Sequence, residues 1–293
     1  MYIVKTARRE IEGRPVLAVC YDFDRTLSPE NMQDGYIRAV DYDVDGFWAE
    51  SNRLAEDHCM DQNLAYMYKM LQSARGKEIL NKERLKQYGG KVRLYGIKGW
   101  FRRINVYGER RGILVEHYII SSGLREIIEG TAIAKDFTHI YASSFYYNEH
   151  GEPCWPAQVI NYTNKTQFLF RIEKGILDIN DNAVNDHFAE GELRVPFRNI
   201  VYIGDSATDI PCMRLVNSLG GHSVGVYDLE NAASKDTVCR MIRDERIRYY
   251  VPADYTKGSE MDILIHRIID KTAAYEVLEE KHLRDRKEAM AKY

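Results

Sequence analysis

The sequence predicts an α/β fold: a doubly wound parallel sheet (a Rossmann-like core) with an inserted α-helical domain. Short β-prone runs alternate with helical patterns along most of the 293-residue chain, as in parallel sheets covered on both faces. Two of those runs, at residues 15–22 and 199–204, end abruptly in a pair of carboxylates. Between Leu27 and about Tyr95 the strand pattern stops and a helical one replaces it.

Each predicted strand is a short apolar run bounded by turn residues. These runs cover residues 15–22, 115–121, 139–143, 199–204, 223–227 and 249–252. A helix is expected from Trp100, with a stop at Gly112, and an aromatic run at 141–147 before a polar turn predicts a β-hairpin. Residues 258–291 predict a final core helix followed by a separate charged helix from about Ala273.

The segment after Leu27 carries three helix-like stretches, at residues 44–58, 61–74 and 81–88. The second has apolar residues at helical spacing, namely Leu64, Met67, Tyr68 and Leu71. Gly89 and Gly90 then end the series. The pattern predicts an α-helical insertion, which either closes over the core or only shields the sheet.

Composition limits the range of functions. The net charge is -3 with 29% charged residues, so the chain carries no general basic field for nucleic acid or an anionic membrane. The first ten residues lack the apolar core of a signal peptide, and apolar runs stay below membrane-spanning length. Five scattered cysteines predict free thiols and a cytoplasmic protein. The oligomeric state stays open.

Asp22 and Asp24 are the most informative pair of residues. They follow a β-prone run directly, so they should lie together at the carboxyl end of a strand, where open α/β sheets place their active sites. Two adjacent carboxylates repel each other unless a cation or a proton lies between them. The pair therefore suggests a hard metal ion together with acid–base chemistry, whereas an acidic surface turn is the alternative.

Three further segments follow in order. They are a β-run ending in Ser121-Ser122-Gly123, a lysine at an expected helix start in Asn164-Lys165-Thr166, and a β-run ending in Gly204-Asp205-Ser206-Ala207-Thr208-Asp209. With Asp22-Phe23-Asp24-Arg25-Thr26, this ordered set resembles the haloacid dehalogenase superfamily over roughly residues 14–260. The hairpin ahead of Lys165 is similar to that of its phosphoserine-phosphatase-like branch.

This resemblance implies a discontinuous core of residues 1–27 and 95–272, a cap at 28–94 and a charged C-terminal helix at 273–293. It implies Asp22 as the nucleophile and Asp24 as the general acid and base. Mg²⁺ is the implied cofactor, held by the Asp22 and Asp205 side chains and the Asp24 backbone carbonyl. Asp209 is expected to act through a metal-bound water or to orient Lys165.

The same resemblance implies that the second motif, Ser121-Ser122-Gly123, binds the phosphoryl group of the substrate. Ser121 is expected to donate to a phosphoryl oxygen, helped by the backbone N–H groups of Ser122 and Gly123 at a helix start. A plain helix cap is the alternative for these serines. Lys165 is expected to balance the charge of nucleophile and phosphoryl group, with Lys174 as the fallback.

The function expected from the sequence is Mg²⁺-dependent hydrolysis of a small, soluble phosphomonoester. A phosphotransferase or phosphomutase, or a low-turnover protein that binds a phosphorylated metabolite, is the alternative. Asp24 argues against carbon–halogen cleavage, which needs no protonated leaving oxygen. Substrate selectivity is expected in the cap and the loop after Leu27, from residues Glu30, Asn31, Met32, Gln33, Phe47 and Trp48.

Overall fold

The protein was studied as a computed structural model, which describes residues 13–77 and 80–291. Its centre is one seven-stranded sheet with strand order β4-β3-β2-β1-β5-β6-β7. The strands are β1 (Val16–Tyr21), β2 (Leu114–Leu124), β3 (His139–Tyr147), β4 (Pro153–Gln158), β5 (Ile200–Gly204), β6 (His222–Tyr227) and β7 (Tyr249–Pro252). All neighbours are parallel except β4, which pairs antiparallel with β3.

Ten α-helices flank this sheet in the described residues. They are α1 (Asp34–Ala39), α2 (Val44–His58), α3 (Gln62–Ala74), α4 (Lys82–Gly89), α5 (Trp100–Glu109), α6 (Arg125–Glu129), α7 (Lys165–Lys174), α8 (Ile210–Ser218), α9 (Ala232–Arg243) and α10 (Glu260–Ala291). Helices α1 to α4 all lie between β1 and β2 in the chain and form the helical insertion. The starts of α2, α3 and α4 are fixed by Asp43, Asp61 and Asn81, whose side chains accept backbone N–H bonds of the first turn.

The sheet is covered on both faces, because alternate residues of a strand point to opposite sides. On β1, Leu17, Val19 and Tyr21 belong to a core shared with the helical insertion, α5 and α10. Val16, Ala18 and Cys20 belong to a second core shared with α7, α8 and α9. All six residues of β1 are buried, as expected of a central strand. The predicted doubly wound α/β fold is confirmed.

Two local predictions are wrong. Residues 258–291 do not form two helices, because α10 runs without a break from Glu260 to Ala291. No glycine or proline interrupts this segment, and Thr272-Ala273-Ala274 continues the turn. The helix expected to start beside Ser122 begins later, at Arg125, because β2 continues through Gly123 to Leu124 with a register shift against β3.

The hairpin predicted from the aromatic run is present as β3 and β4. No helix in the described residues combines the length and the apolar character that crossing a membrane requires.

Candidate active site

The carboxyl ends of β1 and β5 bring two predicted motifs together. The Asp22 backbone N–H donates to the carbonyl of Ile203 at 2.9 Å, which extends the parallel ladder by one residue beyond β1. Asp22 therefore lies beside the Gly204-Asp205 turn that ends β5. The side-chain oxygens of Asp22, Asp205 and Asp209 lie within 4.8 Å of one another. This edge of the sheet is where open α/β folds bind their ligands.

Lys165 is the cation of the site. It is the first residue of α7, and its side chain is 1% exposed. Its Nζ atom donates to Asp22 Oδ1 at 2.9 Å and to Asp209 Oδ1 at 2.8 Å. A buried lysine placed between two buried carboxylates fixes the position of both acids.

Asp209 is held by further donors. The Tyr202 hydroxyl donates to its Oδ1 at 2.8 Å from the interior of β5. The Ser206 backbone N–H and hydroxyl both lie 3.4 Å from Oδ2. Because these donors and Lys165 take up its oxygens, Asp209 is arranged to orient Lys165. The sequence analysis missed Tyr202, since a tyrosine in an apolar strand has the pattern of a core residue.

The two acids of the first motif, Asp22 and Asp24, have different pKa values. Burial raises the pKa of Asp22 to about 6, while the charge of Lys165 opposes the rise. Burial, and then the neighbouring charge of Asp22, raise the pKa of Asp24 to about 8. Asp24 therefore holds a proton near neutral pH in conditions where Asp22 is largely ionised. A proton donor next to a carboxylate is the pairing that general-acid and nucleophilic catalysis requires.

The pKa values of Asp205 and Lys165 are shifted as well. Burial, with the charges of Asp209 and Asp22, raises the pKa of Asp205 well above its ordinary value. Burial alone would lower the pKa of Lys165, but the charges of Asp209 and Asp22 raise it, so the lysine stays protonated. Three carboxylates against one ammonium group leave an excess of negative charge at the site.

A divalent cation would balance this excess of negative charge. Carboxylate oxygens are ligands that Mg²⁺ prefers, and because burial and then the charges of Asp209 and Asp22 raise the pKa of Asp205, a cation beside it would stabilise its ionised form. Asp22 and Asp205 are the residues suited to hold it, because the oxygens of Asp209 are engaged by Lys165, Tyr202 and Ser206.

The loop after β1 brings Met32 over the site. Its backbone N–H donates to Asp24 Oδ1 at 2.8 Å. A Cβ added to Gly123 would lie 2.1 Å from Met32 Cε and 3.4 Å from Asp24 Oδ2, so Met32 packs directly against this glycine and a larger residue there would displace its side chain. Arg25, between the two motif aspartates and Thr26, has φ 59°, a left-handed conformation in which glycine is favoured.

The second motif lies at the same edge of the sheet. Ser121 is 1% exposed, and its Oγ accepts the Gly123 backbone N–H at 3.0 Å. The Ser122 carbonyl accepts from the Tyr66 hydroxyl at 2.8 Å and from Ser143 at 3.0 Å. Since α6 starts only at Arg125, Ser122 and Gly123 lie three and two positions before the first residue of the helix. Their binding of a phosphoryl group stays a prediction.

Lys174 and Phe47 were also predicted as site residues, and the structure gives each a different role. Lys174, the fallback cation, lies at the far end of α7 and donates to the carbonyls of Val184 and Asp186, so Lys165 is the lysine that reaches the acids. Phe47 is fully buried in an aromatic group with Tyr42 and Trp48, which is a packing position.

Glu30 and Trp48 are two further specificity candidates. Glu30 is partly exposed and lies 3.8 Å from Arg38. Trp48 contacts Tyr66 with ring centroids 5.7 Å apart. Tyr66, on α3, is a residue that the sequence analysis missed, and its hydroxyl connects the helical insertion to the second motif. A single tyrosine on an amphipathic helix gives no signal of such a contact.

Comparisons with known proteins agree with this geometry. Residues 19–214 match the family model of the haloacid dehalogenase-like hydrolases. An uncharacterized protein of Borreliella burgdorferi is 26% identical over 278 residues, which cover 85% of this chain and 95% of that protein.

Two solved structures share the fold. A haloacid dehalogenase family hydrolase from Salmonella enterica serovar Typhi has a TM-score of 0.57 at 15% identity, covering 88% of this chain and 72% of its own. A probable phosphoserine phosphatase from Vibrio cholerae has a TM-score of 0.57 at 12% identity, covering 90% and 67%. With four motifs at one sheet edge and two thirds of its length matched, the chain belongs to the haloacid dehalogenase-like hydrolase family.

Proposed function

We propose that this protein is a Mg²⁺-dependent phosphohydrolase that cleaves a small phosphomonoester through an aspartyl-phosphate on Asp22. The observation that carries the proposal is the buried Lys165 ammonium group, which bonds Asp22 and Asp209 beside Asp205. The name of the Vibrio cholerae neighbour, a probable phosphoserine phosphatase, agrees with this reaction class.

In the first step an Asp22 carboxylate oxygen attacks phosphorus, and the bond from phosphorus to the ester oxygen breaks. Asp24 gives its proton to the departing oxygen, since its pKa of about 8 keeps it protonated near neutral pH. Lys165 holds the attacking carboxylate in place and offsets its charge. Mg²⁺ bound by Asp22 and Asp205 would supply further neutralisation of the phosphoryl oxygens.

In the second step water attacks the phosphorus of the aspartyl-phosphate. Asp24, now a carboxylate, takes the proton of that water, inorganic phosphate leaves, and Asp22 is regenerated. Ser121 and the backbone N–H groups of Ser122 and Gly123 are the proposed donors to the phosphoryl oxygens. Ser121 Oγ accepts the Gly123 N–H at 3.0 Å, which leaves the Ser121 hydroxyl hydrogen to donate to a phosphoryl oxygen, whereas the Gly123 N–H would have to exchange this bond for one to the substrate.

Helices α1 to α4, in residues 28–94, are proposed to act as the cap of a core formed by residues 1–27 and 95–272. Direct bonds join this insertion to the catalytic edge and support the proposal. Tyr66 donates to the Ser122 carbonyl, Asn63 donates to the Ile160 carbonyl at 3.0 Å, and Asp61 accepts from Asn161 at 2.9 Å. The last two bonds reach the loop directly before Lys165.

The substrate is proposed to be a small phosphorylated metabolite. A cytoplasmic location is proposed as well, because Cys59, Cys154 and Cys239 are exposed and unpaired, which suits a reducing compartment. The charged C-terminal segment, residues 273–293, is proposed to be a solvated extension of the core; its described part, up to Ala291, belongs to α10.

The test is a panel of phosphomonoesters incubated with Mg²⁺, in which released inorganic phosphate is measured directly. Hydrolysis is expected for the wild-type protein and not for Asp22→Asn, which keeps the shape of the side chain but lacks the attacking carboxylate. Equal phosphate release by both proteins would refute the proposal.

A further inference from the structure

Beside Asp24 the structure buries several polar atoms that have no protein partner. In the described residues 13–77 and 80–291, Gln33 Oε1, Asp34 Oδ1 and Trp48 Nε1 are inaccessible to solvent and complete no hydrogen bond. Gln33 is 2% exposed and Asp34 is 5% exposed. A buried polar atom without a partner is destabilising, so such atoms call for an explanation.

These atoms form one group. The Trp48 indole N–H lies beside the Asp34 carboxyl, where it opposes the rise in pKa that burial causes. The Trp48 ring lies 5.7 Å from the Tyr66 ring, and the Gln33 amide lies beside the Tyr66 hydroxyl. The other carboxylate oxygen of Asp34 faces Arg38 at 4.0 Å, which leaves Oδ1 as the unpaired one.

The group lies next to the catalytic edge. Met32, directly before Gln33, donates its backbone N–H to Asp24 Oδ1 at 2.8 Å, and Tyr66 donates to the Ser122 carbonyl. The charge of Asp34 also contributes to the raised pKa of Asp24. Asp24 is the proposed proton donor to the leaving oxygen, so the alcohol part of a substrate must lie on this side.

Met32 occupies the space between this group and the second motif. Its methyl carbon and sulfur lie 2.1 Å and 2.6 Å from the position that a Cβ on Gly123 would take. A methionine side chain has three rotatable bonds and can repack at low cost. Met32 is therefore a side chain that can move when a ligand enters beside Asp24.

We propose that Gln33, Asp34 and Trp48 form the subsite for the leaving group, and that this subsite selects phosphomonoesters whose alcohol carries further hydroxyl or amino groups. This inference rests on the proposed function. Two of the three unpaired atoms are acceptors and one is a donor, so a ligand with several O–H or N–H groups can satisfy them together. An apolar alcohol would leave all three unpaired and should be rejected.

The test compares kcat/KM for matched substrates of the wild-type protein with Mg²⁺. Glycerol 1-phosphate should be preferred over propyl phosphate, and ethanolamine phosphate over ethyl phosphate, each by about tenfold or more. Gln33→Met and Asp34→Leu should bring the glycerol-to-propyl ratio down toward one. Asp34→Asn keeps an acceptor oxygen, so it should retain the glycerol preference and lose much of the ethanolamine preference.

Ser144→Ala is the matched control, because the Ser144 hydroxyl is also buried without a partner in the described residues but lies on β3. It should leave both ratios unchanged. Wild-type ratios near one would overturn the subsite, as ordered water would then be the occupant. Ratios that survive in both Gln33→Met and Asp34→Leu would overturn it too. An aryl phosphate separates a failure of the subsite from a failure of the proposed function. If the protein hydrolyses an aryl phosphate but does not discriminate within the matched pairs, only the subsite is contradicted.

Discussion

Replacing Lys165 by methionine should destabilise the fold strongly as well as stop catalysis. The Lys165 side chain is 1% exposed and bonds Asp22 at 2.9 Å and Asp209 at 2.8 Å, so its loss leaves two buried carboxylates without their cation. Removing one partner of a buried ion pair costs about 3–5 kcal/mol. We expect a loss of that size in the free energy of unfolding, measured by urea denaturation at pH 8 with chelator present.

A double-mutant cycle isolates the cause. Asp209→Asn removes one of the stranded charges, so the double variant should be less destabilised than the sum of the single variants by about 1–3 kcal/mol. Lys174→Met is the control, since Lys174 bonds the carbonyls of Val184 and Asp186 and lies over the Phe188 ring, away from the acids, and it should cost about 1 kcal/mol or less. Additive effects of Lys165→Met and Asp209→Asn would refute the proposed charge balance.

Three further outcomes are expected. Chelator should abolish hydrolysis of an aryl phosphate, and Ca²⁺ should restore it poorly because its coordination shell is larger and looser; full activity in excess chelator would refute the metal assignment. Asp205→Asn should regain part of its activity at high Mg²⁺, whereas Lys165→Ala should not, and an identical response of both would contradict their separate roles. Burial lowers the pKa of His117 to about 3, so the folded protein keeps it neutral while the unfolded chain protonates below about pH 6.5. Stability is therefore complete above pH 6.5 and falls toward pH 3, and His117→Gln should flatten this decline by up to about 1.4 kcal/mol per pH unit in urea titrations at several pH values; an unchanged slope would contradict it.

His117 illustrates what a sequence leaves undetermined. Its Nδ1 lies 3.0 Å from the Tyr21 hydroxyl and its Nε2 lies 2.8 Å from Asn105 Oδ1, while the Trp100 indole N–H donates to Tyr21 at 2.9 Å. This buried chain of hydrogen bonds lies directly behind Asp22. Tertiary packing of α5 on β1 and β2 creates it, and no local pattern in the sequence indicates it.

The strand-end motifs were predictable because their geometry is local. A β-run that ends in Asp22 or Asp205 must place the acid at the carboxyl end of a parallel sheet, and the order of the motifs fixed the superfamily. Lys165 followed from its place in the order and spacing of the motifs. Long-range partners such as Tyr202 and Tyr66 were not predictable, since their roles depend on contacts between elements distant in the chain.

The predicted boundaries of helices and strands were wrong where two sequence signals pointed to different structures. Ser122 and Gly123 suggested a helix start, but pairing with β3 extends β2 through both to Leu124. The change in charge near Ala273 suggested a new helix, but without a breaker the helix simply continues into solvent. A change in burial along one helix therefore resembled a boundary between two.

The Asp24→Asn variant tests the central claim most directly. It keeps the nucleophile and lacks the acid for the first step and the base for the second, so an activated aryl phosphate should phosphorylate it faster than water can release the phosphate. We expect a burst of released phenol, one phosphoryl adduct by intact mass spectrometry after acid quenching, and its location on Asp22 by peptide mapping. An adduct on Ser121, Ser122 or a histidine would contradict the aspartyl mechanism, and unimpaired turnover of an alkyl phosphate would contradict the acid–base role of Asp24.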